Sequence, residues 1–299
     1  MRVLPAAATP ENAPCPDFCG TKKGATGIWA VPSEETVQLK EKRENMYPIA
    51  LRIGGLTIHW YGVMAAVGLI LGTCVLKYTR KHADMSDDDS VNVILIAMFS
   101  GLVGARIFYV VQFFDQFRDN LKNVIRVDQG GLVFYGGFIL AIIALIIFSK
   151  IKKIDTILLF DAMTPAMAIG HACGRIGCFL QGCCFGSPTT FLGVRYPAAS
   201  EAVYKYGNVA VHPVQLYEAA ANLIAFYLFF RLVRNCKRGV AMSSYFIYYG
   251  VTRFLIELMR GDNPHLWGLF TPAQLIGLVL IPTGVFLLLY FKKNAAKNA

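Results

Sequence analysis

Charge is scarce in this sequence. Only 16% of its 299 residues are Asp, Glu, Lys or Arg, where a soluble domain carries about a quarter. Hydrophobic residues make up 55% and the mean hydropathy is +0.47, which excludes an ordinary soluble fold. The apolar stretches lack the strict alternation of membrane β-strands, which excludes a transmembrane barrel. Acidic residues are the scarcer charge, 19 against 29 Lys and Arg, leaving a net +10. No basic stripe interleaved with aromatics accompanies that excess, so nucleic acid is not expected as a partner. None of the eight cysteines forms a Cys-x2-Cys pair, which removes the commonest zinc signature. An inverted repeat of the kind used by secondary transporters is also missing, which argues against a transporter or channel.

What is there is a series of apolar runs, each about 20 residues long, the length needed to cross a bilayer core. About seven are expected, at 58–77, 90–111, 132–150, 156–178, 214–234, 241–260 and 272–291. The expected fold is an all-α polytopic membrane protein with a longer loop region between spans four and five. Lys and Arg cluster in alternate connections. Lys77, Arg80, Lys81, Lys150, Lys152, Lys153, Arg231, Arg234, Lys237, Arg238, Lys292, Lys293 and Lys297 fall on one side. Arg52, Arg118, Lys122, Arg126, Arg195, Lys205 and Arg260 fall on the other. The richer side is expected to be cytoplasmic. That puts the start of the first span and the loops 112–131, 179–213 and 261–271 outside, and the C-terminus inside.

Residues 1–45 differ from the rest, being polar and rich in Pro, Gly and charge. They contain no signal-peptide core and too little apolar surface to fold alone. A disordered extension is expected there, with Met46 as the natural start and 46–299 as the membrane domain.

The informative residues are charges inside apolar runs. Arg106, Arg175, Arg253 and Glu257 lie within or at the edge of spans, where a charge costs several kcal/mol unless it pairs or lines a polar site. Glu257 follows Arg253 by four residues and precedes Arg260 by three, so all three share one helix face. That pattern fits either an internal ion pair or an anion site made of guanidinium forks, for which phosphate is the natural ligand. Gln215 and Glu218, after His212-Pro213, are polar on an otherwise apolar helix and are expected to face inward. The glycine pairs in "QGGLVFYGGFI" fit close helix packing or a break in the helix. Cys173, Cys178, Cys183 and Cys184, with His171, form a dense thiol cluster around "GRIGCFLQGCCFG".

Six segments carry a resemblance: "IHWYGVM" (58–64), "GARIFYV" (104–110), "GGLVFYGGF" (130–138), "GRIGCFLQGCCFG" (174–186), "HPVQLYEA" (212–219) and "YGVTRFLIELMR" (249–260). In order and spacing they resemble the prolipoprotein diacylglyceryl transferases of the bacterial inner membrane. The resemblance implies transfer of a diacylglyceryl group from phosphatidylglycerol to the lipobox cysteine of a prolipoprotein. It implies no cofactor, membrane lipids as surroundings, a monomer, a periplasmic N-terminus and a cytoplasmic C-terminus. Arg175, Arg253, Glu257 and Tyr135 are then the expected catalytic residues. Tyr61, Arg106, Gln181, Cys178, His212 and Arg260 are expected to bind substrate, and no metal is expected. The family signature Gly-Arg-x-Gly-Asn-Phe-x-Asn-x-Glu has Cys178, Gln181 and Cys183 at its Asn and Glu positions here, and Tyr135 stands where many members have His. Tyrosine, with an ordinary pKa near 10, is a poor base at neutral pH, though it can donate a hydrogen bond. A second reading stays open, a transferase-like protein turned to disulfide or metal chemistry through Cys173–Cys184. The adjacent Cys183-Cys184 pair is awkward for tetrahedral zinc.

Overall fold

A computed structural model describes residues 49–53, 56–118, 124, 131–197, 200–260 and 270–297. The expected extension, 1–45, and the greater part of the loops at 112–131 and 261–271 lie outside the described residues. The described residues open with a hairpin that composition did not announce. Strand β1 (Ile49–Ile53) pairs antiparallel with β2 (Leu56–His59), with Arg52 opposite Thr57. Eight α-helices follow among the described residues: α1 (Trp60–Thr79), α2 (Asp87–Gln112), α3 (Phe134–Ile151), α4 (Thr156–Gln181), α5 (Glu201–Tyr206), α6 (Val214–Val233), α7 (Val240–Met259) and α8 (Pro272–Lys297).

Seven of these coincide with the expected spans. Among the described residues, six helices are long and apolar enough to cross a membrane: α1, extended by a 3-10 turn to Ala83, then α2, α3, α4, α6 and α8. The seventh, α7, has the length but a more polar composition, with two serines, three tyrosines, Arg253 and Glu257. A helix like that is stable in a bilayer only if its polar side is buried against other helices.

The chain divides into two compact units. In the one built from Leu95–Leu145, α2 and α3 approach at glycines. A Cβ on Gly104 would sit 2.5 Å from the carbonyl oxygen of Gly136 and 2.6 Å from Leu140 Cβ, and one on Gly137 would sit 2.6 Å from the Gly101 oxygen. Small residues at such a crossing let two backbones touch where lipid supplies no hydrophobic drive. The glycine pairs of "GGLVFYGGF" are therefore a packing device.

In the other unit, α4 is the central helix, packed against α1, α6 and α7, while α7 packs on α8. Its apolar centre includes Ala168 of α4, Ala225 and Phe229 of α6 and Tyr245 of α7. Asp155 caps the start of α4, accepting from the N–H groups of Ile157 and Leu158. The fully buried carboxylate of Asp161 accepts from the N–H groups of Gly239 and Met242, capping α7 from a different helix. Ion pairs Arg80–Asp87, Lys152–Asp89 and Arg238–Asp155 tie the basic connections together at this end. At the opposite end, α4 stops at Gly182, whose left-handed φ of +77° lets its N–H reach the carbonyls of Cys178 and Phe179. The segment that follows folds back through bridges Gly186–Arg260, Pro188–Val211 and Val194–Val211 over a small core of Phe185, Tyr196, Ala202 and Val211.

Candidate functional site

Three of the four charges that were costly in the sequence, Arg175, Arg253 and Glu257, converge at the end of the second unit where α4 finishes, α6 begins and α7 finishes. Arg175 Nε lies 3.1 Å from Glu218 Oε2. The other oxygen of Glu218 is 3.8 Å from Arg253 Nη1, and Arg253 Nη2 is 3.0 Å from Glu257 Oε2. The result is a line of alternating charge, Arg175–Glu218–Arg253–Glu257, drawn from three helices. It is buried: the side chains of Arg175 and Arg253 are 14% and 12% exposed, those of Glu218 and Glu257 3% and 0%. Charges this deep persist only when paired.

Arg175 is held from both sides: its Nε–H donates to His171 Nε2, one turn back on α4, at 3.3 Å, while Glu218 Oε2 faces it at ion-pair distance without a hydrogen bond. That geometry makes His171 the acceptor, with its lone pair engaged. The His171 ring lies 5.8 Å from the ring of Tyr249. Arg253 Nη1 is buried and makes no hydrogen bond among the described residues, its nearest anion standing at ion-pair distance only. Gln181 Oε1 is likewise buried without a hydrogen-bond partner among them. Such orphaned groups normally meet a ligand or water.

Sequence reasoning named Arg175, Arg253 and Glu257, and these three meet. It placed Glu218 facing inward without giving it a part in the site, yet Glu218 is the group that joins the two arginines. The signal was present in a carboxylate on an apolar helix. Its partner could not be read from spacing, because 35 residues separate Glu218 from Arg253 and 43 separate it from Arg175.

The expected substrate-binding residues are more spread. Tyr61 packs on α4, where a Cβ on Gly177 would lie 3.3 Å from its ring. Cys178 is on the last turn of α4, and the sulfurs of Cys178, Cys183 and Cys184 lie within 4.8 Å of one another. Gln215, fully buried, donates to the Cys183 carbonyl at 2.6 Å and accepts from Tyr196 Oη at 3.2 Å. Burial pushes the Tyr196 phenol up to about 12. Arg260 caps α7 and bridges to Gly186. His212 does not join the charged line in the contacts it makes; its Nδ1 is 3.4 Å from Tyr217 Oη. Arg106 and Tyr135 belong to the first unit. Arg106 donates to the carbonyls of Val124 (2.8 Å) and Gly131 (3.0 Å) and lies over the rings of Tyr109 and Phe117. Tyr135 is half exposed on α3, its ring 5.9 Å from that of Phe134.

Fold and site together define a multi-pass helical membrane protein whose charged groups converge inside the bundle at the end away from its basic connections. The chain belongs to the prolipoprotein diacylglyceryl transferase family, whose model matches residues 48–290. It is similar to proteins named phosphatidylglycerol–prolipoprotein diacylglyceryl transferase. That of Clostridium botulinum (strain 657 / Type Ba4) is 34% identical over 256 residues, 85% of this chain and 100% of the relative. That of Finegoldia magna is 33% identical over 252 residues, 84% of this chain and 98% of the relative. That of Clostridium tetani is 30% identical over 243 residues, 81% and 96%.

Proposed function

We propose that this protein transfers the diacylglyceryl group of phosphatidylglycerol to the thiol of a prolipoprotein's lipobox cysteine. The observation that carries the reading, beside family membership, is the buried line Arg175–Glu218–Arg253–Glu257. In the reaction a carbon–sulfur bond forms at the glycerol carbon that bore the phosphate. The bond between that carbon and the phosphate oxygen breaks. The thiol loses its proton, and glycerol phosphate departs with one more negative charge than the phosphodiester had.

The departing phosphate is where charge develops, and fixed guanidinium donors stabilise such charge best when they are in place beforehand. Glu218 and Glu257 fix the guanidinium planes of Arg253 and Arg175, and the orphaned Nη1 of Arg253 is a donor suited to the phosphate. Arg260, at the α7 C-cap, adds positive charge at the same end. The carboxylates face guanidinium groups and His171 already accepts from Arg175, so the array holds the leaving group rather than taking the thiol proton. That proton, from a group with an ordinary pKa of about 8.5, passes to water. Tyr135 acts as a hydrogen-bond donor rather than a base. Tyr61, Gln181, Cys178 and His212 complete the substrate-binding set of the second unit, and Arg106 is the substrate-binding candidate of the first.

We place the protein in the bacterial inner membrane as a monomer, N-terminus periplasmic and C-terminus cytoplasmic. The positive-inside distribution supports this, as does the gathering of the ion-paired basic connections at one end of the second unit. The test is complementation of a bacterium depleted of its own transferase. Rescue is expected from the wild type and not from Arg175→Ala. Failure of the correctly inserted wild type to rescue overturns the assignment.

A further inference from the structure

We infer that Cys178, Cys183 and Cys184 form a binding site for one thiophilic metal ion of the zinc class, beside the arginine line. Their three sulfurs lie within 4.8 Å of one another. Thiolates on a tetrahedral ion with metal–sulfur bonds of about 2.3 Å stand about 3.8 Å apart, so the sulfurs need to close by about 1 Å at most.

Adjacent cysteines in extended chain point to opposite sides, which is why Cys183-Cys184 looked unsuited to a common ligand. The structure removes the objection. Gly182 ends α4 in the left-handed region, the Cys183 N–H returns to the Cys178 carbonyl at 3.2 Å, and Cys184 itself has φ +63°. Two left-handed residues flanking Cys183 coil the chain tightly, and the three thiols come together over the last turn of α4.

The surroundings are those of an oriented ligand set. Gln215 pins the Cys183 carbonyl and is itself held by Tyr196. Cys184 is 6% exposed, and the last turn of α4 fixes Cys178. Arg175 precedes Cys178 by three residues on the same helix face. Its charge offsets the net negative charge of three thiolates around a divalent ion. An all-sulfur donor set selects zinc, cadmium or copper(I) over magnesium or calcium. Three protein ligands leave a fourth position for water or another small ligand.

The test uses the full chain in phospholipid nanodiscs, reduced, desalted and titrated anaerobically with Cd²⁺, then competed with Zn²⁺. One Cd²⁺ per chain is expected, seen as an ultraviolet thiolate-to-metal charge-transfer band and by elemental analysis. Cys178→Ser and Cys184→Ser should each abolish the band, while Cys74→Ser should leave it. Gln215→Ala should weaken binding about 10–100-fold, as loss of an orienting partner does. Alkylation of the wild type gives a readout that needs no variant: bound metal should protect Cys178, Cys183 and Cys184 while Cys236, in the connection between α6 and α7, still reacts. No stoichiometric binding, a band that survives Cys178→Ser, or protection of other cysteines instead overturns the site.

Discussion

Glu218 Oε2 stands 3.1 Å from Arg175 Nε, joining α6 to α4 inside the bundle. The same carboxylate faces Arg253 on α7 at 3.8 Å, so one side chain sets the spacing of two guanidinium groups from different helices. Removing its charge leaves Arg175 buried without its carboxylate and Arg253 with Glu257 alone. Breaking a buried pair by deleting one partner costs about 3–5 kcal/mol. Glu218→Gln is therefore expected to lower the unfolding free energy by about that amount and to abolish transfer. Glu218→Asp, which keeps the charge, should recover part of both. Denaturant unfolding in mixed micelles with a transfer assay reads the two effects, and wild-type stability in Glu218→Gln would remove Glu218 from its bridging position.

Arg253 engages two carboxylates through two different nitrogens, Nη1 and Nη2. Lysine carries the charge as a single point and cannot reproduce that fork. Arg253→Lys is expected to keep the fold but to reduce the transfer rate about 10²–10³-fold, the usual effect of losing one fixed donor at developing charge. Steady-state release of glycerol phosphate from phosphatidylglycerol vesicles measures it. Near wild-type turnover would move the phosphate away from Arg253.

The spans were legible because a bilayer demands about 20 apolar residues and little else. Even α7 could be anticipated, since Arg253 and Glu257 four residues apart pair on one helix face and reduce their cost together. The hairpin Ile49–His59 was not, because its strands are short and its second strand runs directly into the apolar pattern of α1. At the site, residues related by helix periodicity were readable, such as His171 with Arg175 and Arg253 with Glu257. Glu218 with Arg175 was not, for that pairing depends on how three helices pack. The approach of Cys178, Cys183 and Cys184 to within 4.8 Å of one another was not readable either: a left-handed conformation at Cys184 is rare for a non-glycine residue, and spacing alone assumes the common one.

The crossing of α2 and α3 tests the first unit separately from the site. A Cβ on Gly104 would meet the Gly136 carbonyl at 2.5 Å and Leu140 Cβ at 2.6 Å, and neither a backbone nor a Cβ can rotate away. Gly104→Val should force the helices apart, with the overpacking cost of about 1–3 kcal/mol or more. A lower midpoint of thermal unfolding for Gly104→Val is expected, with little change for Gly62→Val, where a Cβ on α1 would meet nothing within 4 Å. Equal midpoints for the two variants would show that the crossing tolerates bulk.

Asp155 links the start of α4 to the connection between α6 and α7, and its titration gives a signed expectation. Burial raises its pKa. The 2.8 Å contact with Arg238 and the N–H groups of Leu158 and Ile157 outweigh that and hold the carboxyl below its usual range. The folded-state pKa is thus depressed relative to the unfolded chain, so the contribution is fully present above the unfolded value, about 3.9. It is lost as pH falls through the lower folded-state value. Both partners are well exposed, so the ion pair itself contributes little, and the cap carries the greater part, typically about 1 kcal/mol. Asp155→Asn retains a capping oxygen and has no charge to titrate. Its unfolding free energy at neutral pH should lie slightly below that of the wild type, and the difference should vanish in acid below the folded-state pKa. A wild-type-minus-Asn difference that stays constant from neutral pH to acid would show that the Asp155 carboxylate contributes nothing through its charge.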